Sequence, residues 1–472
     1  MTAWAWVYVA SEWLIRLVML FYVPQKRSPA AARTWLLLIF IHPFIGWVLY
    51  ATFGRRYLPA RRIALQERVT HALRTVGQEL FGREFTRPSL PNEFQQATTL
   101  AENLGDFAIL GGNNIELISN YDESIERLVA DIETATHHVH LLYYIFAHDP
   151  TGRRVAEALI RAARRGVCCR LMLDSIGSKD GIQLWRDELV SAGVEFIELM
   201  PVRFFDRATA RMDLRNHRKI AVVDGQLAYV GSQNIVNADF RPGFVNEELV
   251  ARVCGPVVLQ LQAVFLTDRL LETGIELNQP ELFPPTQEAG NSPAQVLPSG
   301  PGYPHANNER VIVSLLHSSR KRVVLTSPYF VPDEPLLHAL ISAALRGVEV
   351  HLVVSQKIDH LLVGWAQRSY YEELLEAGVQ IHLFQPGLLH AKHVSIDDTV
   401  TIIGSSNLDI RSFLLNAEIS LIIYDPQVAC GLREIQNRNF EMSNLLTAVE
   451  WHQRSLASKL LQNTARLVDT LL

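Results

Sequence analysis

Apolar residues follow three regimes along this chain. Residues 3–23 ("AWAWVYVASEWLIRLVMLFYV") and 34–53 ("TWLLLIFIHPFIGWVLYATF") are nearly unbroken. Each is about long enough to cross the hydrocarbon core of a bilayer. The second carries no internal charge. The first holds Glu12 and Arg16, four residues apart and so on one helical face, where they can pair. Together they predict a transmembrane helical hairpin over residues 1–55; a buried helix pair in a soluble protein is the plainer alternative. A cleavable leader would need a basic start and an uncharged apolar stretch, and this segment has neither. Residues 56–110 are mixed and charged and read as a linker region with some helix.

From residue 111 the pattern alternates between strand-like and helix-like runs, the mark of an α/β fold. "HHVHLLYYIF" (137–146) and "CCRLMLD" (168–174) are strand-like, and "GRRVAEALIRAARRGV" (152–167) between them has helical spacing. The pattern then recurs. "KRVVLTSPYF" (321–330), "EPLLHALISAALRGV" (334–348) and "EVHLVVS" (349–355) answer those three, and "EAGVQIHLF" (376–384) answers "SAGVEFIEL" (191–199). An internal duplication follows, with one repeat over 111–277 and another over 305–445, each expected as a mixed sheet flanked by helices. The Pro/Gly-rich stretch 278–304 reads as a connector rather than an element. Residues 446–472 form a tail whose stretch 455–472 is amphipathic, suited to packing on the body or to docking on a membrane.

Charge adds two constraints. With 44 basic and 49 acidic residues the net charge is −5, against the basic excess of a general nucleic-acid binder. Arg55, Arg56, Arg61, Arg62 and Arg68 follow the second apolar segment, and Lys26, Arg27 and Arg33 lie between the two. This bias favours a cytoplasmic body with both chain ends on that side. The four cysteines, Cys168, Cys169, Cys254 and Cys430, include no C-x-x-C and read as reduced and buried. "HHVH" (137–140) has no carboxylate or cysteine pattern beside it, so no metal is expected.

The candidate chemistry lies in a motif that occurs twice. "NHRKIAVVDGQLAYVGSQN" (216–234) matches "LHAKHVSIDDTVTIIGSSN" (389–407). Each holds His, Lys two later, Asp five after that, then Gly-Ser-x-Asn. These are His217, Lys219, Asp224, Ser232 and Asn234, and His390, Lys392, Asp397, Ser405 and Asn407, with each position of the second copy 173 residues after its twin (217 to 390, 234 to 407). Side chains two apart on a strand share a face, so each His and Lys can address one ligand, while His393 should face away. Imidazole, ammonium, hydroxyl and amide together suit an anionic tetrahedral group such as a phosphodiester. A histidine so used needs an acceptor on its other ring nitrogen. Each copy offers an acid beyond Gly-Ser-x-Asn: Glu248 in the first, with Glu247 as rival, and Glu418 in the second. The aspartates sit at probable turns, where structural pairing is the expected role.

The paired H-x-K-x4-D and G-S-x-N resemble the phospholipase D superfamily, and more narrowly its bacterial cardiolipin synthases. The likeness extends from the N-terminal segments through "YYIF", "RLMLDSIGS", "RMDLRNHRK", "SGPG", "TSPYFVP" and "NLDIRSFLLNAE". The resemblance implies that His217, Lys219, Asp224, His390, Lys392 and Asp397 form the catalytic set of one shared site. Ser232, Asn234, Glu248, Ser405, Asn407 and Glu418 would bind phosphate or support that set. One histidine, His217 by family tendency, would attack phosphatidylglycerol at phosphorus. The other, His390, would move the proton, and a second phosphatidylglycerol would take the phosphatidyl group. No cofactor, metal or nucleic acid is implied; the partners are phosphatidylglycerol and membrane lipid, and the location is a bacterial inner membrane. A hydrolase acting on phospholipid with the same residues is the alternative, with nucleic acid a remoter substrate. Tyr143, Tyr144, Phe146, Tyr329 and Phe330 are candidates to shield the site from water, with core packing as their plainer role.

Overall fold

The structure, a computed structural model, describes residues 3–27, 29–54, 58–202, 211, 213–277 and 279–467. Arg55 and Arg56 of the basic flank and the last five positions of the tail lie outside the described residues. The N-terminal region is helical throughout, with α1 over Ala3–Lys26, α2 over Pro29–Ile41 and α3 over Pro43–Phe53. At 1.5 Å per residue, α1 is about 36 Å long and can cross a bilayer. The second apolar segment is not the straight span its composition suggested. It breaks at His42, ahead of Pro43, whose ring cannot continue a helix, and doubles back. A Cβ on Gly46 would lie 2.6 Å from the Ile39 Cα, whereas a continuous helix would separate the two residues by about 10 Å. The Trp35 and Tyr50 rings meet at 5.4 Å. Thus α2 and α3, about 20 and 16 Å long, are each too short to cross alone. Arg16, paired with Glu12, also donates from Nε to the Phe40 carbonyl at 3.2 Å. That carbonyl lies in the last turn of α2, where no helical N–H is left to reach it.

The body is built on one 15-stranded sheet that runs through both repeats. Outward from the middle, the first half runs Leu110–Ile118, Val250–Cys254, Leu227–Gly231, Ile220–Val223, His138–Tyr143, Cys168–Asp174 and Glu195–Leu199. The second half runs Ser292–Ser299, Glu418–Tyr424, Val400–Gly404, His393–Ile396, Arg322–Thr326, Glu349–Ser355, Gln380–Phe384 and Ser443–Leu446. The halves join where Leu110 and Asn113 pair antiparallel with Ala294 and Ser292. The supposed connector 278–304 therefore contains the first strand of the second half. Its Pro293 and Pro298 disguised it, yet it is buried and pairs along its length with Glu418–Tyr424. The supposed linker also packs: Phe94, Ala97 and Ala101 of the helix Asn92–Gly105 enter the core of the second half. Strands such as His138–Tyr143 are buried at every position, as expected where helices cover both faces. The four cysteines are free, but Cys168 and Cys430 are exposed rather than buried.

The motif aspartates hold the two hairpins that carry the histidines. Asp224 and Asp397 lie in left-handed backbone at φ 53° and 50°. Asp224 accepts from the N–H groups of Thr136, His137 and His138, each at 2.8 Å. Asp397 accepts in the same way from Arg320, Lys321 and Arg322 at 2.7–3.0 Å. Each carboxylate thus satisfies the start of a neighbouring strand, and those amides outweigh partial burial to hold Asp224 below its ordinary pKa. Asp224→Ala should lower the unfolding free energy by roughly 2–3 kcal/mol, because three backbone donors lose a charged acceptor. Asp224→Asn should cost less, and denaturant melts of the two variants test the difference.

Candidate active site

Each motif histidine is set down by the opposite half of the molecule. Asn216 bridges to Ala417, and the His217 N–H donates to the Ala417 carbonyl at 2.8 Å. The second half repeats this: Leu388 and Leu389 pair with Asn246 and Glu247, and the Ala391 N–H donates to the Glu247 carbonyl at 2.8 Å. In both cases the residue after the bridge is a glutamate aimed at the histidine. His217 Nδ1 meets both Glu418 oxygens at 3.0 Å. His390 Nδ1 meets Glu248 Oε1 at 2.7 Å. The within-copy pairing drawn from the sequence is therefore wrong: neither Glu248 nor Glu247 orients His217. Glu248 serves His390, Glu418 serves His217, and Glu247 gives its backbone rather than its carboxylate. The pairs cross because the strand pairings at 216–417 and 389–247 join the two halves.

With Nδ1 turned to a carboxylate, each imidazole presents Nε2 to a shared cleft of about 320 Å³ lined by both His217 and His390. Lys219 and Lys392 lie beneath, almost fully buried, and each ammonium donates to the carbonyl of its own histidine at 2.6 Å. Lys219 also lies 5.3 Å from the centre of the Tyr144 ring. Ser405 Oγ donates to Glu418 at 2.5 Å, whereas Ser232 Oγ donates to the Leu249 carbonyl at 3.2 Å. Asn234 and Asn407 line the cleft. Asn234 Oδ1 accepts from the Ile145 N–H at 3.0 Å, and Asn407 Oδ1 is buried without a partner. Asp224 and Asp397 lie in their turns, where their carboxylates accept from backbone amides, and not in the cleft lining.

Burial dominates the electrostatics. It pushes His390 down to about 4 against the pull of Glu248, and it lowers His217 against Glu418. Both imidazoles are thus held neutral at pH 7. Burial also lowers Lys219 to about 7 and Lys392 to about 8. The glutamates go the other way: burial would raise them, but the histidine and lysine beside each hold it below the ordinary carboxylate value. Burial outweighs the carboxylates that act on these lysines, and a phosphodiester would add negative charge that favours their protonated forms.

Periodicity did not single out several cleft residues. Arg215, Arg241 and Arg411 line the cleft with Asp409 and His360. Arg241 pairs with Asp359, and Arg411 Nη2 donates to the Asp213 carbonyl at 2.7 Å. Arg215 stands two residues before His217, a position that could have marked it. The other residues arrive from loops with no periodic signal. Of the aromatic candidates, Tyr144 and Tyr329 line the cleft, whereas Tyr143, Phe146 and Phe330 are core residues. His393 is buried against Gln436, on the side away from the cleft. In "HHVH", His140 engages Gln262 and Arg170 and stacks on Phe265.

Comparison with known proteins agrees with this geometry. The family described as "Cardiolipin synthase, PLD-like domain" matches residues 128–269 and 312–439. Cardiolipin synthase A of Pectobacterium carotovorum subsp. carotovorum (strain PC1) is 37% identical over 466 residues, covering 96% of this chain and 95% of that protein. Cardiolipin synthase A of Serratia proteamaculans (strain 568) is 37% identical over 472 residues, with 96% and 95% coverage. Among solved structures, phosphatidylserine synthase of Haemophilus influenzae Rd KW20 superposes with TM-score 0.62 at 16% identity, covering 79% of this chain and 99% of that one. At that identity the likeness is one of fold.

The depressed lysines generate a pH prediction. An ammonium holds phosphate only while protonated, and protonation is lost as pH rises through the pKa of the folded state. kcat/KM reports the free enzyme, so for a phosphodiester substrate it should fall on an alkaline limb between about 7 and 8. The acid limb should lie below the ordinary imidazole value. A pH–rate profile flat to pH 10 would contradict the assignment.

Proposed function

The chain belongs to the cardiolipin synthase family of phospholipase D-like proteins, and from that premise we propose how its cleft joins two phosphatidylglycerol molecules into cardiolipin and glycerol. The observation that carries the reading is the crossed pair of imidazoles. Each is neutral, anchored at Nδ1, and open at Nε2 above a buried lysine. Nε2 of one histidine attacks phosphorus. The other takes up a proton as the anionic substrate binds, its imidazolium held by the carboxylate at Nδ1, and gives that proton from Nε2 to the departing glycerol oxygen. The resulting phosphatidyl-histidine is attacked by a hydroxyl of a second phosphatidylglycerol. That hydroxyl passes its proton back to the second histidine, and the first histidine leaves. One phosphodiester replaces another, so the exchange needs no nucleotide. Lys219, Lys392 and the two asparagines hold the phosphoryl oxygens as charge builds on them. Tyr144, Tyr329, Phe240 and Val363 keep the cleft apolar enough to disfavour water as acceptor. Arg215, Arg241 and Arg411 supply positive potential for the second anionic headgroup.

The resemblance makes His217 the attacking residue. The apolar exterior of α1–α3, with Trp4, Leu14, Phe21, Leu37 and Ile45 all exposed, supports insertion into a bacterial inner membrane. In this arrangement α1 crosses, α2–α3 enters and returns on the side of the body, and Lys26, Arg61, Arg62 and Arg68 favour the cytoplasm for that side. It replaces a two-span hairpin, because the doubled-back segment is too short to cross.

Purified enzyme with phosphatidylglycerol as sole lipid should make cardiolipin and glycerol in equal amounts; phosphatidic acid as the main product would support the hydrolase instead. His217→Ala and His390→Ala should each lose at least 10³-fold in kcat. Mass spectrometry of acid-quenched enzyme should find the phosphatidyl adduct on one imidazole. An adduct on His217 supports the family assignment, and one on His390 the reverse.

A further inference from the structure

The C-terminal helix, Leu456–Arg466, packs with its leucines outward. Its buried positions are Gln462 and Ala465. The polar side pins it to the body: Arg454, just ahead of the helix, reaches both Glu372 and Gln462 at 2.5 Å. Arg466 pairs with Glu373 at 2.5 Å and covers the Tyr370 ring at 4.3 Å. These contacts fix the helix's rotation, so Leu456, Leu460 and Leu467 stand 80%, 69% and 70% exposed. The helix Leu361–Ser369, against which it lies, adds Leu361 at 70% and Leu362 at 41%. An amphipathic helix on a water-soluble surface turns its apolar face inward. This one is tied down the other way round, and an exposed apolar patch on two touching helices marks a contact surface.

Its position narrows the occupant. The Leu361–Ser369 helix also supplies Val363 to the cleft, and His360 just before it lines the cleft too. Another part of the lining, Arg411, is held by the Asp213 carbonyl, while Arg211 donates to the Phe53 carbonyl at the end of α3 at 2.5 Å. Both large exposed apolar surfaces, α1–α3 and the leucine patch, are thus tied to elements that border one cleft. A lipid substrate must leave the bilayer headgroup-first to enter that cleft, which requires the mouth to lie against the membrane.

We propose that Leu361, Leu362, Leu456, Leu460 and Leu467 form a second bilayer contact, separate from the N-terminal helices, that seats the mouth of the cleft on the lipid surface. The inference rests on reading the cleft as a phospholipid site. The test uses the full-length chain in vesicles of phosphatidylcholine and phosphatidylglycerol, with a trace of phosphatidylglycerol carrying a photoactivatable diazirine in its acyl chain. After illumination and digestion, the peptides spanning 456–466 should be labelled along with those of α1. Leu456→Lys/Leu460→Lys should lose that labelling and at least fivefold of vesicle turnover, while turnover of short-chain monomeric phosphatidylglycerol stays unchanged. Labelling of α1 with none in 456–466 would overturn the proposal. So would a double variant that keeps full vesicle turnover, or one that only converts a dimer to a monomer in light scattering, which would make the patch an interface between copies. Because labelling needs no turnover, labelled 456–466 peptides in an enzyme that makes no cardiolipin would count against the reading of the cleft and not against the membrane contact.

Discussion

The structure turns on two crossed histidine–carboxylate hydrogen bonds, His217 to Glu418 and His390 to Glu248. Each joins an imidazole from one half to a carboxylate from the other, so neither half holds a competent histidine alone. The backbone enforces the crossing, because the residue before each glutamate is bonded to the strand that carries the other half's histidine. A carboxylate at Nδ1 fixes the tautomer, orients the ring and stabilises the charge that forms on it. Duplication thus brings both histidines to one cleft, with supporting residues exchanged between the halves of a continuous sheet.

Burial sets the resting charge of that site. Two glutamates stay ionised, two imidazoles stay neutral, and two lysines are pulled toward neutrality because burial outweighs the attraction of the glutamates beside them. A phosphodiester in the cleft would favour the charged form of both lysines. The same desolvation that depresses the imidazoles leaves Nε2 as a free lone pair near neutral pH, the state a nucleophile needs. The Asp224 and Asp397 turns lie outside this arrangement yet support it, since each ties the hairpin following a histidine to a neighbouring strand.

The site also depends on where the cleft faces. The N-terminal helices and the leucine patch of the C-terminal helix are apolar outward, and both connect within a few residues to the cleft lining. Under the proposed membrane contact, two separated anchors would hold the mouth in register with the headgroup layer, where one anchor would let the body rock. The reversal at His42–Pro43 suits this arrangement: α2 and α3, each too short to cross alone, pack beside α1.

Much of this was legible in the linear pattern. The period-2 and 3.6 runs marked the duplicated α/β units, and the 173-residue offset marked His217, Lys219, His390, Lys392, Ser405 and Asn407 because strand geometry ties spacing to a shared face. The strand Ser292–Ser299 was hidden, since its two prolines and polar neighbours look like a connector until sheet partners are present on both sides. The reversal in 34–53 was hidden too, because composition reports apolarity but not direction. The pairing of each glutamate was beyond reach in principle. Glu248 and Glu418 occupy equivalent places in their repeats, and a sequence treats the histidine 31 or 28 residues away in its own copy (248 − 217, 418 − 390) as the default. Only the closure of both halves into one sheet decides that the bond goes to the histidine 142 or 201 residues distant. Local residue order sets which groups are available and which face they share; the pairing of strands far apart in sequence decides which of them meet.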